Sequence, residues 1–352
     1  MVKLASAAVL AVAALTAGRA AAAGIKCLGA FGSPEHIWKL GKKLSDFHIN
    51  AVFLGHGALN PEVIERCRQE GARVFAELGI FVGKQVAQEH PELWPINADG
   101  KPLEPDEWYL GLCPNVDWWW ENRLEEIEKI ARENEIDGLW LDFIRYPCHW
   151  EVPEPRIEQA CFCEESIRDF ERMTGIAVPA GETAERAKWI LANHEEEWTE
   201  FKCRTIAEFC RQARERLHKH RPNALLGMFS VPWTQDNYDD AIHKIIAQDF
   251  TMLARHIDVF SPMSYHAMCG WTVTWIGEYN RYLVQKTQRD VWPIVQAIDS
   301  PRPVSIEEFE QALRAGLSNG ATGVMMFRLA DCTPENGKLS AVQRVYAAAL
   351  GT

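Results

Sequence analysis

The sequence predicts a (β/α)8 TIM barrel, and three observations carry the prediction. Short, nearly unbroken apolar runs recur along the chain, as strands buried on both faces of a parallel sheet require. Amphipathic segments of helical period separate them. Eight such units fit in about 330 residues, the span expected of a barrel with long loops.

The strands are expected at 25–31, 51–55, 73–80, 138–144, 224–230, 257–263, 291–298 and 322–328. Between them, 117–134 places Trp120, Leu124, Ile127 and Ala131 on one helical stripe. Ser305-Ile-Glu-Glu308 reads as a capping box, with Phe309, Leu313 and Leu317 behind it at helical spacing. Segments 238–255 and 340–350 complete the alternation. A doubly wound sheet is the alternative, but its nucleotide-binding forms carry a Gly-rich first turn, and Phe31-Gly32-Ser33-Pro34 is not one. Two stretches exceed a minimal unit: 81–116, and 147–197, where a short helix is expected at 164–173. Long connections at the strand-end face usually shape the site.

The first 23 residues read as a separate object. Lys3 is followed by an apolar run from Leu4 to Ala17, then Arg19 and small residues ending at Ala23. This is the layout of a signal peptide cut near Ala23, so a secreted or periplasmic protein is expected, with residues 24–352 forming one barrel domain. No later segment is apolar enough to span a bilayer. The formal charge of −12 lacks the basic face that a nucleic-acid partner needs. Oligomeric state is not legible.

Ten cysteines in an exported chain permit disulfides, as supplements to a core of this size. Cys161-Phe-Cys163 with Cys148 has some likeness to a metal cluster, but no Cys-x-x-Cys pair accompanies it, and bridges or buried thiols are the expectation. Cys203 and Cys210 share a helix face, too far apart for a bridge.

In a TIM barrel the chemistry sits at the carboxyl ends of the strands. Strand four ends at Asp142, an acid in an apolar run, with Arg145 near enough to pair with it. Strand three carries Glu77 near its end, and two carboxylates on adjacent strand ends can act as acid and as nucleophile or base. Asp236, Tyr265, His266, Gln296 and Arg328 lie just past later strands and are candidate sugar-binding groups, together with Arg145. Fourteen tryptophans are many for this length. Trp233 and others near strand-end loops offer flat faces that suit sugar rings. Asp137 and Asp258 begin strands and belong to the opposite, stabilising face. No cofactor motif is found, and neither a cofactor nor a catalytic metal is expected.

The run Leu112-Cys-Pro-Asn115, a helix, and then Asp137-Gly-Leu-Trp-Leu-Asp-Phe-Ile-Arg-Tyr-Pro147 resembles the glycosyl-hydrolase-like TIM barrels of bacterial exported proteins. Asp258-Val-Phe-Ser-Pro-Met-Ser-Tyr265 and Gly320-Ala-Thr-Gly-Val-Met-Met-Phe327 are similar to their sixth and eighth strands. The resemblance implies a barrel that hydrolyses carbohydrate, with Asp142 in the place of the motif's strand-end acid. The sequence departs from the chitinase and α-amylase patterns: no Glu follows Asp142 in strand four, and Trp140 stands where an Arg is usual. Two other readings stay open. One is a glycan-binding barrel without catalysis. The other is a metal-dependent hydrolase using His56, His149 and His266, against which the first strand offers no His-x-His.

Overall fold

A computed structural model describes residues 24–106 and 108–351; the expected signal peptide, 1–23, lies outside them. The strands are β1 (Cys27–Phe31), β2 (Ala51–Gly55), β3 (Arg73–Gly79), β4 (Gly138–Asp142), β5 (Leu225–Ser230), β6 (Val259–Ser264), β7 (Asp290–Val291), β8 (Ile294–Gln296) and β9 (Gly323–Phe327). All neighbours pair in parallel, and β5–β6 together with β9–β1 close the ring. The expected seventh strand is two pieces, because Trp292-Pro293 interrupts it and proline has no N–H for the ladder. The barrel therefore has eight staves, as the apolar runs predict.

The helices Pro61–Gln69, Asp117–Glu133, Glu195–His220, Val273–Thr287, Ile306–Gly316 and Lys338–Leu350 form the outer layer. The segment expected as one helix at 238–255 is instead two single turns, Ala241–Lys244 and Phe250–Leu253. Left-handed backbone at Tyr238, Asp239, Asp240 and Ala247 breaks it. Ser305 does cap its helix, accepting the Glu308 N–H at 3.2 Å. The Glu308 carboxylate, however, turns away to His266 and Arg302 rather than closing a capping box.

At the lower rim the strand-leading acids pin the staves. Asp137 accepts the Val74 N–H at 2.8 Å, and Asp258 accepts the Leu226 N–H at 2.9 Å while pairing with Arg214. Above them the barrel is filled by an aromatic layer. Trp140 packs at 4.9 Å from Phe53, 4.7 Å from Phe75 and 5.6 Å from Trp292, centroid to centroid. Its Nε1–H donates to Ser261 Oγ at 2.9 Å and that of Trp292 to Thr322 Oγ1 at 3.0 Å, so both indole N–H groups of the layer are satisfied. The fit depends on glycine: a Cβ at Gly227 would stand 2.2 Å from the Trp140 ring.

Two loops rise over the upper rim. One spans 81–116. The other spans 147–197 and contains the expected helix, Glu164–Thr174, and an unforeseen one, Thr183–Asn193. A bridge between Asn97 and Ala160 joins them. Phe162, Ile167, Phe170, Ile190, Trp198 and Phe201 give this roof a small core of its own. No helix of the described residues is long and apolar enough to cross a membrane.

Because the aromatic layer has no slack at Gly227, Gly227→Ala is expected to destabilise the protein by at least ~1–3 kcal/mol, the usual cost of overpacking a filled core. Urea unfolding followed by tryptophan fluorescence checks this, and an unchanged midpoint would contradict it.

Candidate active site

Side chains two apart on a strand point the same way. Phe75 and Trp140 face the barrel interior, so Glu77 and Asp142 face it too, one layer higher. The register sets Glu77 beside Trp140 and Gly79 beside Asp142. The two acids are thus one strand across and two residues along, roughly 8 Å between Cα atoms. Gly55 leaves the space that Glu77 occupies: a Cβ there would meet Glu77 Oε2 at 3.4 Å.

The surroundings of this pair are apolar. Phe31 contacts Phe229 and Phe327, and Phe327 contacts Tyr265, which stacks on Trp150. Burial pushes the Glu77 carboxyl up to about 8, and the nearby Asp142 charge adds to the shift. Asp142 is also pushed up by burial, to about 6, but less far, because Arg145 and the Phe143 N–H favour its ionised form. That N–H donates to Asp142 Oδ1 at 2.7 Å, from a residue held at a left-handed φ of 49°. A non-glycine residue in that region stores strain, here directly after the strand-end acid.

Arg145 is only 1% exposed, and among the described residues none of its guanidinium nitrogens has a hydrogen-bond partner. Its charge is balanced at a distance by Asp142 and Glu151, and its plane lies over Phe143 at 4.8 Å and Tyr109 at 5.6 Å. Glu151 is the functional candidate that the sequence reading missed. It sits in the roof loop, its carboxyl raised by burial and held back by Arg145, with Oε2 buried, without a hydrogen bond among the described residues, and 4.0 Å from His149 Nε2. The irregular loop around it has no period that would mark an inward position.

The remaining sequence candidates divide. Tyr265 is buried at the rim and interacts electrostatically with Asp142. Trp233 is buried against Tyr238 at 4.7 Å rather than presented to solvent. Gln296 is fully buried: its Oε1 accepts from the Ala267 and Met268 N–H groups, and its Nε2 donates to the Ile298 and Ser300 carbonyls. Its amide thus braces the loop after β6. His266 is buried against Glu308 at 2.9 Å. Arg328 pairs with Asp331 at the surface, and Asp236 is exposed in the loop after β5. His56 is exposed, His149 pairs with Asp106, and among the described residues neither they nor His266 belong to a group with metal-ligand spacing.

A raised carboxyl pKa favours the folded state only while the group is protonated. Folding therefore loses stability through Glu77 as the pH climbs from the unfolded value, about 4.3, to the folded one, about 8. Glu77→Gln removes that loss. Its melting temperature should exceed that of the wild type at pH 8, and the gap should shrink by pH 5. A pH-independent gap in thermal melts would contradict the assignment.

None of the curated proteins matches the sequence. The fold, however, is shared widely. The glycoside hydrolase domain of PgaB (BpsB) from Bordetella bronchiseptica superposes with a TM-score of 0.68 at 16% identity, over 90% of this chain and 98% of that one. The β-galactosidase of the psychrophilic Marinomonas ef1 gives 0.65 at 12% identity, over 91% of this chain and 58% of that one. The catalytic domain of β-amylase from Paenibacillus polymyxa gives 0.60 at 10% identity, over 90% and 96%. The sequence model of the family described as "Putative glycosyl hydrolase domain" matches residues 58–298, a span that contains both Glu77 and Asp142. With that match over more than half its length, the chain belongs to this glycosyl hydrolase family.

Proposed function

We propose that this chain is an exported glycoside hydrolase that cleaves a polysaccharide or glycoconjugate with Glu77 and Asp142 as its paired carboxylates. The observation that carries the reading is geometric: two carboxyl groups stand on the ends of adjacent strands, facing one barrel mouth, and Arg145 lies on the Asp142 side. Near pH 7 Glu77, at about 8, holds its proton, while Asp142, at about 6, is ionised. Pairs of titratable groups pushed apart in this way divide into acid and base. Glu77 is then the general acid that protonates the leaving oxygen. Asp142 is the nucleophile, or the base that activates water, and stabilises the positive charge that develops on the sugar. Arg145, with three unpartnered nitrogens, is suited to hold substrate hydroxyls and keeps Asp142 ionised. Phe327, partly exposed at the rim with Tyr265 packed against it, suits a sugar face. The N-terminal apolar run supports export.

Asp142→Asn should lower kcat on a responsive polysaccharide by at least ~10³, while the protein stays folded. Wild-type kcat/KM should rise through pH about 6, as Asp142 loses its proton, and fall through about 8, as Glu77 loses its own. Glu77→Gln should remove the alkaline limb. A silent Glu77→Gln beside an inactive Glu151→Gln would move the second role to Glu151, and full activity in Asp142→Asn would sink the proposal.

Arg145 acts on Asp142 by charge, so Arg145→Met should move the acidic limb of the profile to higher pH. An unmoved limb would leave Arg145 no part in tuning Asp142.

A further inference from the structure

Three thiols carried by the two roof loops converge away from the carboxylates. Cys113 lies at the end of the first loop, and Cys161 and Cys163 lie in the second. Cys113 Sγ is 3.5 Å from Cys163 Sγ, and the three sulfurs lie within 4.8 Å of one another. The third sulfur of this group is Cys113 and not Cys148, whose own thiol turns to the Arg156 carbonyl. Ser166 Oγ completes the cluster, 3.4 Å from Cys113 Sγ and 3.2 Å from Cys163 Sγ. All ten cysteines are free thiols, so no bridge accounts for the convergence.

We infer that Cys113, Cys161 and Cys163 form a structural zinc site, with the Ser166 hydroxyl at the fourth corner. Tetrahedral zinc with bonds of about 2.3 Å to sulfur and about 2.0 Å to oxygen sets S···S near ~3.8 Å and S···O near ~3.5 Å. The Cys113–Cys163 spacing of 3.5 Å and the serine contacts of 3.4 and 3.2 Å lie within about 0.3 Å of these values, and Cys161 Sγ is within 4.8 Å of the other sulfurs. A disulfide would instead join two of the sulfurs at about 2.05 Å and leave the third without a role.

The surroundings are built to hold the ligands. The Ile96 N–H donates to Cys161 Sγ at 3.3 Å. Asn115 Oδ1 accepts from Ser166 Oγ at 3.3 Å and from the Tyr146 hydroxyl at 2.7 Å, which orients the serine. Such outer contacts usually fix metal ligands. Three thiolates around Zn²⁺ leave one negative charge. Lys202, whose amine burial pushes down to about 7 and nearby negative charge, Cys161 included, draws back up, lies over the Tyr146 ring at 5.3 Å and offsets that charge when protonated. Binding displaces three thiol protons and cross-links two irregular loops about fifty residues apart in sequence. The inference does not depend on the hydrolase reading.

The test is metal analysis of the full-length chain expressed with zinc present and dialysed. About one zinc per chain is expected, released on titration of the thiols with an organomercurial. Cobalt substitution should give sulfur-to-metal charge-transfer absorption and the intense visible bands of a tetrahedral site. Cys113→Ser and Cys161→Ser should each lower zinc content at least ~10-fold, while Cys203→Ser, outside the cluster, should leave it at about one. If the cysteine variants do not fold, the wild-type cobalt spectrum still decides. Wild-type protein with less than ~0.1 zinc per chain and no thiolate-to-cobalt band, or with a Cys113–Cys163 disulfide in mass spectra of the unreduced protein, would overturn the assignment.

Discussion

The apolar filling of the barrel directly beneath two carboxyl groups is the constraint on which the site depends. Phe53, Phe75, Trp140 and Trp292 occupy the middle of the barrel, and Gly55 and Gly227 yield the space they and Glu77 need. Water is excluded from below, so charges at the mouth interact through a medium of low effective dielectric, where Coulomb energies are several-fold larger than in bulk water. In that setting two neighbouring acids cannot both ionise cheaply, and one is driven to keep its proton. Burial raises both the Glu77 and the Asp142 carboxyl, so packing sets the upward direction before any special contact divides them.

What distinguishes the two acids is the turn after β4. Asp142 has the Phe143 N–H at 2.7 Å and the Arg145 charge nearby; Glu77 has no salt bridge among the described residues. The arrangement asks two costs of the chain. Phe143 adopts a backbone region that side chains rarely visit, and the Arg145 guanidinium is buried without a hydrogen bond among the described residues. Either would be expensive alone, since an unsatisfied buried cation is destabilising. They persist because the same turn sets the cation between Asp142 and Glu151 and stacks it on Phe143 and Tyr109.

The staves were legible because burial on both faces writes itself as an apolar run, and their positions at the ends of the third and fourth runs then nominated Glu77 and Asp142. Features without a period were not legible. The helix expected over 238–255 fails at four left-handed residues that its composition does not announce. Pro293 was visible as a letter, but the apolar residues around it concealed the break it makes between β7 and β8. Gln296 and His266 have site-like identities, yet their polar groups are turned to backbone and to Glu308. Glu151 and the meeting of Cys113 with Cys161 arise from tertiary folding of long loops, where neither spacing nor composition records proximity.

Those loops matter to the chemistry through a continuous set of contacts. Arg145 is covered by Tyr109 from the first loop, and the Tyr109 hydroxyl accepts the Cys148 N–H from the second. The next residue, Tyr146, is anchored by its hydroxyl to Asn115, which also holds Ser166 beside the thiols. The cation that favours the ionised form of Asp142 therefore takes its position from the roof as well as from the turn after β4. Loosening the roof would displace Arg145 first, and the Asp142 carboxyl, left with burial and the Glu151 charge, would move toward its protonated form. A hydrolase of this design would respond to damage in its loops by a shift in the pH at which it works, before losing its fold, because the barrel's own packing does not include those contacts.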